Sequence, residues 1–156
     1  FFNIASFFNS QDIHFLANQY FKVIQKASLD FDAIYGPAYK GIPLATAVSQ
    51  LFYIEEKKKI DLIFDRKEIK DHGEGGKLIG NISGKRILII DDVLTAGTAI
   101  KETVEIIQHN NAKAVAAIVA LDRMEKDSNS LTFKENLEKN LSIPILSITT
   151  FQDLKK

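Results

Sequence analysis

The chain has 156 residues, 46% of them apolar, which is enough for one domain with a sizeable core and short for two. Its 20 basic residues balance its 20 acidic ones, so overall charge gives no reason to expect a nucleic-acid or acidic-membrane partner. It has no cysteine, which excludes disulfides, thiolate nucleophiles and cysteine-held metals and suits a cytoplasmic protein.

No stretch approaches the roughly 20 apolar residues that a membrane helix needs. Phe1 opens the sequence without a methionine or a basic leader, so the expectation is part of a longer chain and not a signal peptide. Ser10 to Ala27 reads as a helix, with Ile13, Leu16, Tyr20, Ile24 and Ala27 on one face and Ser10 placed to cap it. Asp32 to Tyr35 reads as a short strand ended by Gly36-Pro37, and Gly41 to Phe52 as a helix burying Leu44, Val48 and Leu51.

Ile60 to Phe64 is the next predicted strand. Asp65 to Gly76 breaks every periodicity and reads as a charged, glycine-bearing loop, after which Leu78 and Ile79 resume strand geometry and Asn81 to Lys85 turns. Arg86 to Ile90 carries an uninterrupted apolar run, the mark of a strand buried on both faces. Thr98 to His109 predicts a helix with Ile100, Val104 and Ile107 inward, and Ala114 to Leu121 another buried strand. Leu131 to Asn140 is ambiguous, with a short helix as one reading. Ile143 to Ile148 closes the series as a strand bent near Pro144. The alternation predicts one α/β domain over 1–156, with a mainly parallel central sheet flanked by helices and a ligand beyond the carboxyl ends of the strands.

The strongest chemical signal is Ile89-Ile90-Asp91-Asp92-Val93-Leu94-Thr95-Ala96-Gly97-Thr98-Ala99. An apolar strand delivers two carboxylates, then a small-residue bend opens a helix. Ala96, Gly97 and Thr98 leave backbone N–H groups uncrowded for an anion, and the hydroxyls of Thr95 and Thr98 add donors. The acids suit sugar hydroxyls, a metal or developing positive charge. The bend alone fits many nucleotide enzymes, and the acids alone fit a magnesium site or helix caps; together they describe a sugar phosphate. There is no Walker sequence and no GxGxxG at the first strand–helix turn.

Three further segments carry weaker signals. The loop 65–76 gathers Arg66, Lys67, Lys70 and His72 around glycines that permit closure over a polyanion; a solvated hairpin of cancelling charges is the alternative. Gly36-Pro37-Ala38-Tyr39-Lys40-Gly41 can present amides and one cation to an anion, or be a tight turn with an exposed lysine. Arg123 follows a buried strand and can grip a carboxylate, or serve as a surface ion-pair partner.

The segment Ile89 to Ala99 resembles the ribose-phosphate-binding signature of type I phosphoribosyltransferases, and Phe64 to Gly75 resembles the mobile catalytic loop of the orotate phosphoribosyltransferases among them. The resemblance implies Mg2+-dependent transfer of ribose 5-phosphate from phosphoribosyl pyrophosphate to orotate, giving orotidine 5'-monophosphate and pyrophosphate in pyrimidine biosynthesis. It implies that Asp91 and Asp92 meet the ribose, that Thr95, Ala96, Gly97 and Thr98 hold the 5'-phosphate, and that Val93, Leu94 and Ala99 also bind the donor. Tyr39, Lys40, Arg66, Lys67, Lys70 and His72 would face the pyrophosphate, with Lys70 the main loop cation. Lys70, His72, Asp91 and Asp92 are the catalytic candidates, and no side chain is assigned as a dedicated metal ligand.

For the acceptor, the resemblance implies Arg123 on the orotate carboxylate, Thr95 beside the ring, and Phe1 and Phe2 on a strand lining the pocket. It also implies a cis peptide in the turn at Tyr39 and a homodimer in which loop 65–76 closes over the neighbouring subunit's site. The family normally has more chain before Phe1, including a helix and a hood strand with another substrate-contacting lysine, and further helical chain after Lys156. Transfer to another base, or a non-catalytic donor-binding regulator on the same fold, are the alternatives.

Overall fold

Ile87 to Ile90 set the middle of the molecule, because each of these side chains is fully buried. The computed structural model describes residues 3–70 and 76–156. Six strands form one sheet: β1 (Ala33–Gly36), β2 (Asp61–Lys70), β3 (Gly76–Ile79), β4 (Arg86–Leu94), β5 (Lys113–Asp122) and β6 (Ile145–Thr150). The helices α1 (Ser10–Lys26), α2 (Gly41–Glu56), α3 (Thr98–His109) and α4 (Phe133–Leu141) cover it. The spatial order is β3-β2-β1-β4-β5-β6, parallel throughout except for the antiparallel β2–β3 pair.

Leu88 and Ile90 pack into the cluster beneath α1 and α2, whereas Ile87 and Ile89 pack into the one beneath α3 and α4. Apolar cover on both faces is why the run has no polar interruption. From β1 the chain passes through α2 to β2 on one side; from β4 it passes through α3 to β5 on the other. The winding therefore reverses between adjacent β1 and β4, the place where such sheets open a crevice at their carboxyl edge. At the opposite edge, Arg86 is bound by Asp32 and Asp30, and its guanidinium hydrogen bonds hold the Asp32 carboxyl down at about 2.

The structure corrects several sequence expectations. Asn9 caps α1 in place of Ser10: its Oδ1 accepts the Asp12 N–H at 2.9 Å and its amide donates to Asp12 Oδ2 at 2.7 Å. A carboxamide can do both, and Ser10 already lies in the first turn. α2 runs one turn past Phe52, which packs against Phe21 and, edge-on, Phe31. The first arm of the charged segment is strand: β2 continues to Lys70, and Asp65 pairs with Leu78. Ladder bonds use only the backbone, and a two-stranded edge leaves charged side chains in solvent.

β4 likewise extends four residues past Ile90, to Leu94, so the acidic pair lies within the strand. The ambiguous segment holds a helix, α4, started by a complete capping box between Thr132 and Glu135. β6 starts just after Pro144, which has no N–H to give but whose carbonyl accepts from Ala117 N–H at 3.0 Å. Asn3 caps a 3-10 turn at Ile4–Phe7; Phe1 and Phe2, expected on a strand lining the pocket, lie outside the described residues.

Candidate active site

Two turns meet at the β1–β4 crevice. The first leaves β1 at Gly36, where an added Cβ would stand 2.4 Å from the Gly41 carbonyl oxygen and 2.8 Å from Ala45 Cβ, so only glycine lets the strand pass this close to α2. The Ala38–Tyr39 peptide is cis, as the resemblance implied. Asp65, on β2, accepts the Ala38 N–H at 2.7 Å and so ties the turn to the neighbouring strand. Tyr39 and Lys40 are exposed, and Lys40 occupies the cap position of α2 without a side-chain cap bond.

The second turn leaves β4. Asp91 is nearly buried, and Asp92 is partly exposed. Asp91 Oδ1 accepts the Asp92 N–H at 2.9 Å, and Asp92 Oδ1 accepts the Val93 N–H at 2.8 Å. Burial first, and the neighbouring Asp92 charge second, push the Asp91 carboxyl up to about 7. Lys40 Nζ lies 3.7 Å from Asp92 Oδ2, across the crevice.

Leu94 is buried in the core, so any part it takes in binding runs through its backbone. Thr95, Ala96, Thr98 and Ala99 are exposed, so the bend faces outward. Gly97 has φ +78° and sits against Leu137, whose Cδ1 would be 2.1 Å from an added Cβ. It caps α3 with no side-chain bond, whereas Asn9 and Thr132 cap α1 and α4 with theirs. The two helices that begin at the crevice, α2 and α3, thus start without a side-chain acceptor on their first amides, the arrangement that suits an anion. A hollow of about 330 Å3 lies beside the α3 start, lined in part by Ala96, Gly97, Thr98 and Lys101. A larger one, about 580 Å3, lies at the far end of α2 by Tyr53 and Ile54, away from the crevice.

Leu94 and Asp122 are register partners, and the Arg123 N–H donates to the Leu94 carbonyl at 3.2 Å. Thr95 and Arg123 therefore step off adjacent strand ends. The Arg123 guanidinium pairs with Glu125 at 2.8 Å, the surface ion pair that the sequence left open as an alternative. Gly36 pairs with Phe64 at the last β1–β2 register position, so residues 65–70 run about 20 Å past the end of β1, paired on their other side with β3. Arg66 and Lys67 lie on this arm. His72, Phe1, Phe2 and the side chain of Lys70 lie outside the described residues.

Among the described residues, no three acidic or imidazole groups gather into a metal cage. Asp91 and Asp92 are a pair of hard oxygen donors, which suits magnesium that keeps most of its ligands from substrate phosphates and water.

A family model described as phosphoribosyl transferase domain matches residues 8–144. The chain belongs to the phosphoribosyltransferase family. It is 44% identical over 155 residues to an orotate phosphoribosyltransferase of Pasteurella multocida, covering 99% of this chain and 72% of the relative. The orotate phosphoribosyltransferase structure from Francisella tularensis superposes with a TM-score of 0.86 at 34% identity, covering 99% of this chain and 74% of that one. The Mycobacterium tuberculosis orotate phosphoribosyltransferase in complex with 5-phospho-alpha-D-ribosyl 1-diphosphate shares the fold, with a TM-score of 0.77 at 18% identity over 100% of this chain and 84% of that one. The mainly parallel sheet flanked by helices is therefore the phosphoribosyltransferase fold.

Two residues at this phosphoribosyltransferase site escaped the sequence. Asp65 read as one loop charge among many, yet it anchors the first turn. Tyr20 read as one member of an apolar stripe, yet its hydroxyl reaches β4, donating to the Asp91 carbonyl at 2.8 Å. The available signal was a tyrosine in an otherwise aliphatic row.

Proposed function

We propose that residues 1–156 form the core domain of an orotate phosphoribosyltransferase, which transfers ribose 5-phosphate from phosphoribosyl pyrophosphate to orotate. The products are orotidine 5'-monophosphate and pyrophosphate, and the step belongs to de novo pyrimidine biosynthesis leading to UMP. What carries this reading is the adjacency, on one strand end, of the Asp91-Asp92 pair and the outward bend that opens α3. The names of the related enzymes support orotate as the acceptor and, in one complex, the pyrophosphorylated ribose as ligand.

In this reading the amides of 95–99 and the hydroxyls of Thr95 and Thr98 hold the 5'-phosphate. Asp91 and Asp92 accept hydrogen bonds from the ribose hydroxyls and steady C1 as it becomes cationic. The C1–O bond breaks with its electron pair leaving on pyrophosphate, whose charge is met by Lys40, Arg66, Lys67, Lys70 and His72 and by the turn at Tyr39. The orotate nitrogen forms the new bond on the opposite face as its N–H proton passes to the departing pyrophosphate or to solvent, and no covalent enzyme intermediate arises. Phe1, Phe2 and Thr95 line the acceptor, and Arg123 exchanges Glu125 for the orotate carboxylate. Magnesium, when bound with the donor, neutralises charge on the pyrophosphate, and Asp91 and Asp92 are the residues that would help hold it.

The working unit is proposed to be a homodimer, with loop 65–76 of one subunit over the site of the other; exposed Tyr53 and Ile54 on α2 suit a subunit contact. A cytoplasmic setting agrees with a chain without cysteine. Among the described residues, no helix is long and apolar enough to cross a membrane.

An absorbance assay with donor, Mg2+ and either orotate, uracil, adenine or hypoxanthine tests the acceptor. Orotate alone should be consumed. Consumption of a purine with orotate untouched would overturn the assignment.

A further inference from the structure

Tyr20 stands on the buried face of α1 with no solvent exposure, and a phenylalanine would fill nearly the same volume. The hydroxyl has a use. It donates to the Asp91 carbonyl oxygen at 2.8 Å, joining residues 71 positions apart in the chain. That carbonyl and the Asp92 N–H belong to one planar peptide unit. Tyr20 holds the unit at its oxygen, and the Asp91 carboxylate holds it at its nitrogen, at 2.9 Å.

The sheet brackets this unit, with register partners Asp91–Val119 before it and Val93–Leu121 after it. The next amide, of Val93, is likewise taken by a side chain, Asp92 Oδ1. Rotation of the planar unit would swing both carboxylates, because it joins their two Cα atoms.

We propose that Tyr20 is a positioning residue, whose hydroxyl fixes the rotation of the Asp91–Asp92 peptide and thereby aims both carboxylates at the ribose of the donor. It touches no substrate itself. The inference rests on Asp91 and Asp92 being the ribose-binding pair. Without the hydroxyl a buried carbonyl loses its partner, the strand end relaxes, and both acids lose their common aim. Donor affinity and turnover should suffer, while the acceptor site, built from other segments, should not.

The test uses the full-length protein and Tyr20→Phe, with Ile24→Val on the same buried stripe as a control for simple loss of packing. Phosphoribosyl pyrophosphate with Mg2+ is titrated calorimetrically, and steady-state kinetics are run against each substrate. Tyr20→Phe should raise both the donor Kd and the donor KM about ten-fold, as expected when reacting groups lose alignment, and leave the orotate KM unchanged. Ile24→Val should lower thermal stability without moving donor Kd. If Tyr20→Phe lowers thermal stability but binds donor as the wild type does, Tyr20 is merely structural and the inference falls. A wild-type protein that takes up no donor in the same titration would instead overturn the ribose-site reading beneath it.

Discussion

Lys40 Nζ and Asp92 Oδ2 pair at 3.7 Å, linking the turn after β1 to the end of β4 across the crevice. The cation proposed for the leaving pyrophosphate is thus held beside an acid proposed for the sugar. Lys40 is more than half exposed, so the pair contributes little to stability. Lys40→Ala should change unfolding free energy by no more than about 0.5 kcal/mol. It should lower kcat/KM for the donor about hundred-fold, since an electrostatic contact to the departing charge is lost. Thermal melts and donor kinetics on the same sample check both; unchanged kinetics would remove Lys40 from the site.

Asp91 makes the protein pH-sensitive in a defined direction. Its carboxyl titrates near 7 in the folded chain against an ordinary 3.8, so the folded state holds a proton that the unfolded state has released. This contribution to stability is therefore full below about pH 4 and is lost as pH rises to about 7. Asp91→Asn should flatten that slope and stabilise the chain above pH 7 by a few kcal/mol as an order of magnitude. In the wild type, donor kcat/KM should rise through about pH 7 as Asp91 ionises to accept ribose hydroxyls. Urea melts from pH 4 to 8 and a pH–rate profile would reveal the opposite slopes; parallel slopes would contradict the assignment.

Gly97 combines a left-handed backbone with contact to Leu137. Gly97→Ala should cost about 1–3 kcal/mol from overpacking and backbone strain, and weaken donor binding by shifting the amides of the bend. Combining it with Leu137→Ala should relieve the clash and leave the φ penalty, so the second change should cost less stability in the Gly97→Ala background than in the wild type. Chemical denaturation of all four forms gives the coupling; strict additivity would mean that the two side chains do not collide.

Lys70 closes β2, at the tip of the projecting arm. Lys70→Ala should lower turnover about hundred-fold with little effect on stability, because a cation proposed to meet the leaving charge supports the transition state and not the core. If the loop acts across a dimer, mixing Lys70→Ala with Asp91→Asn should restore activity, since one site of the hybrid has both an intact acid pair and an intact loop. Activity that does not return after subunit exchange, verified by mass spectrometry, would place the loop over its own subunit's site.

What was legible in the sequence follows the range of each interaction. The acidic pair, the bend and the α3 boundaries were readable because residues adjacent in the chain make them. The β2 arm was not, since its ladder bonds come from the backbone and its edge position needs no apolar alternation. Asp65 and Tyr20 act on residues 27 and 71 positions away, and nothing near either in the chain marks that contact. Ser10 and Asn9 show a finer limit, because both are good caps and only the geometry of the first turn chooses between them.

The division of labour at the end of β4 is tested most directly by a crystal structure with phosphoribosyl pyrophosphate and Mg2+. The 5'-phosphate should lie within about 3 Å of the amides of 95–99, with ribose hydroxyls on Asp91 and Asp92. A 5'-phosphate seated on the Lys40 turn, with the acid pair out of reach of the sugar, would contradict the account.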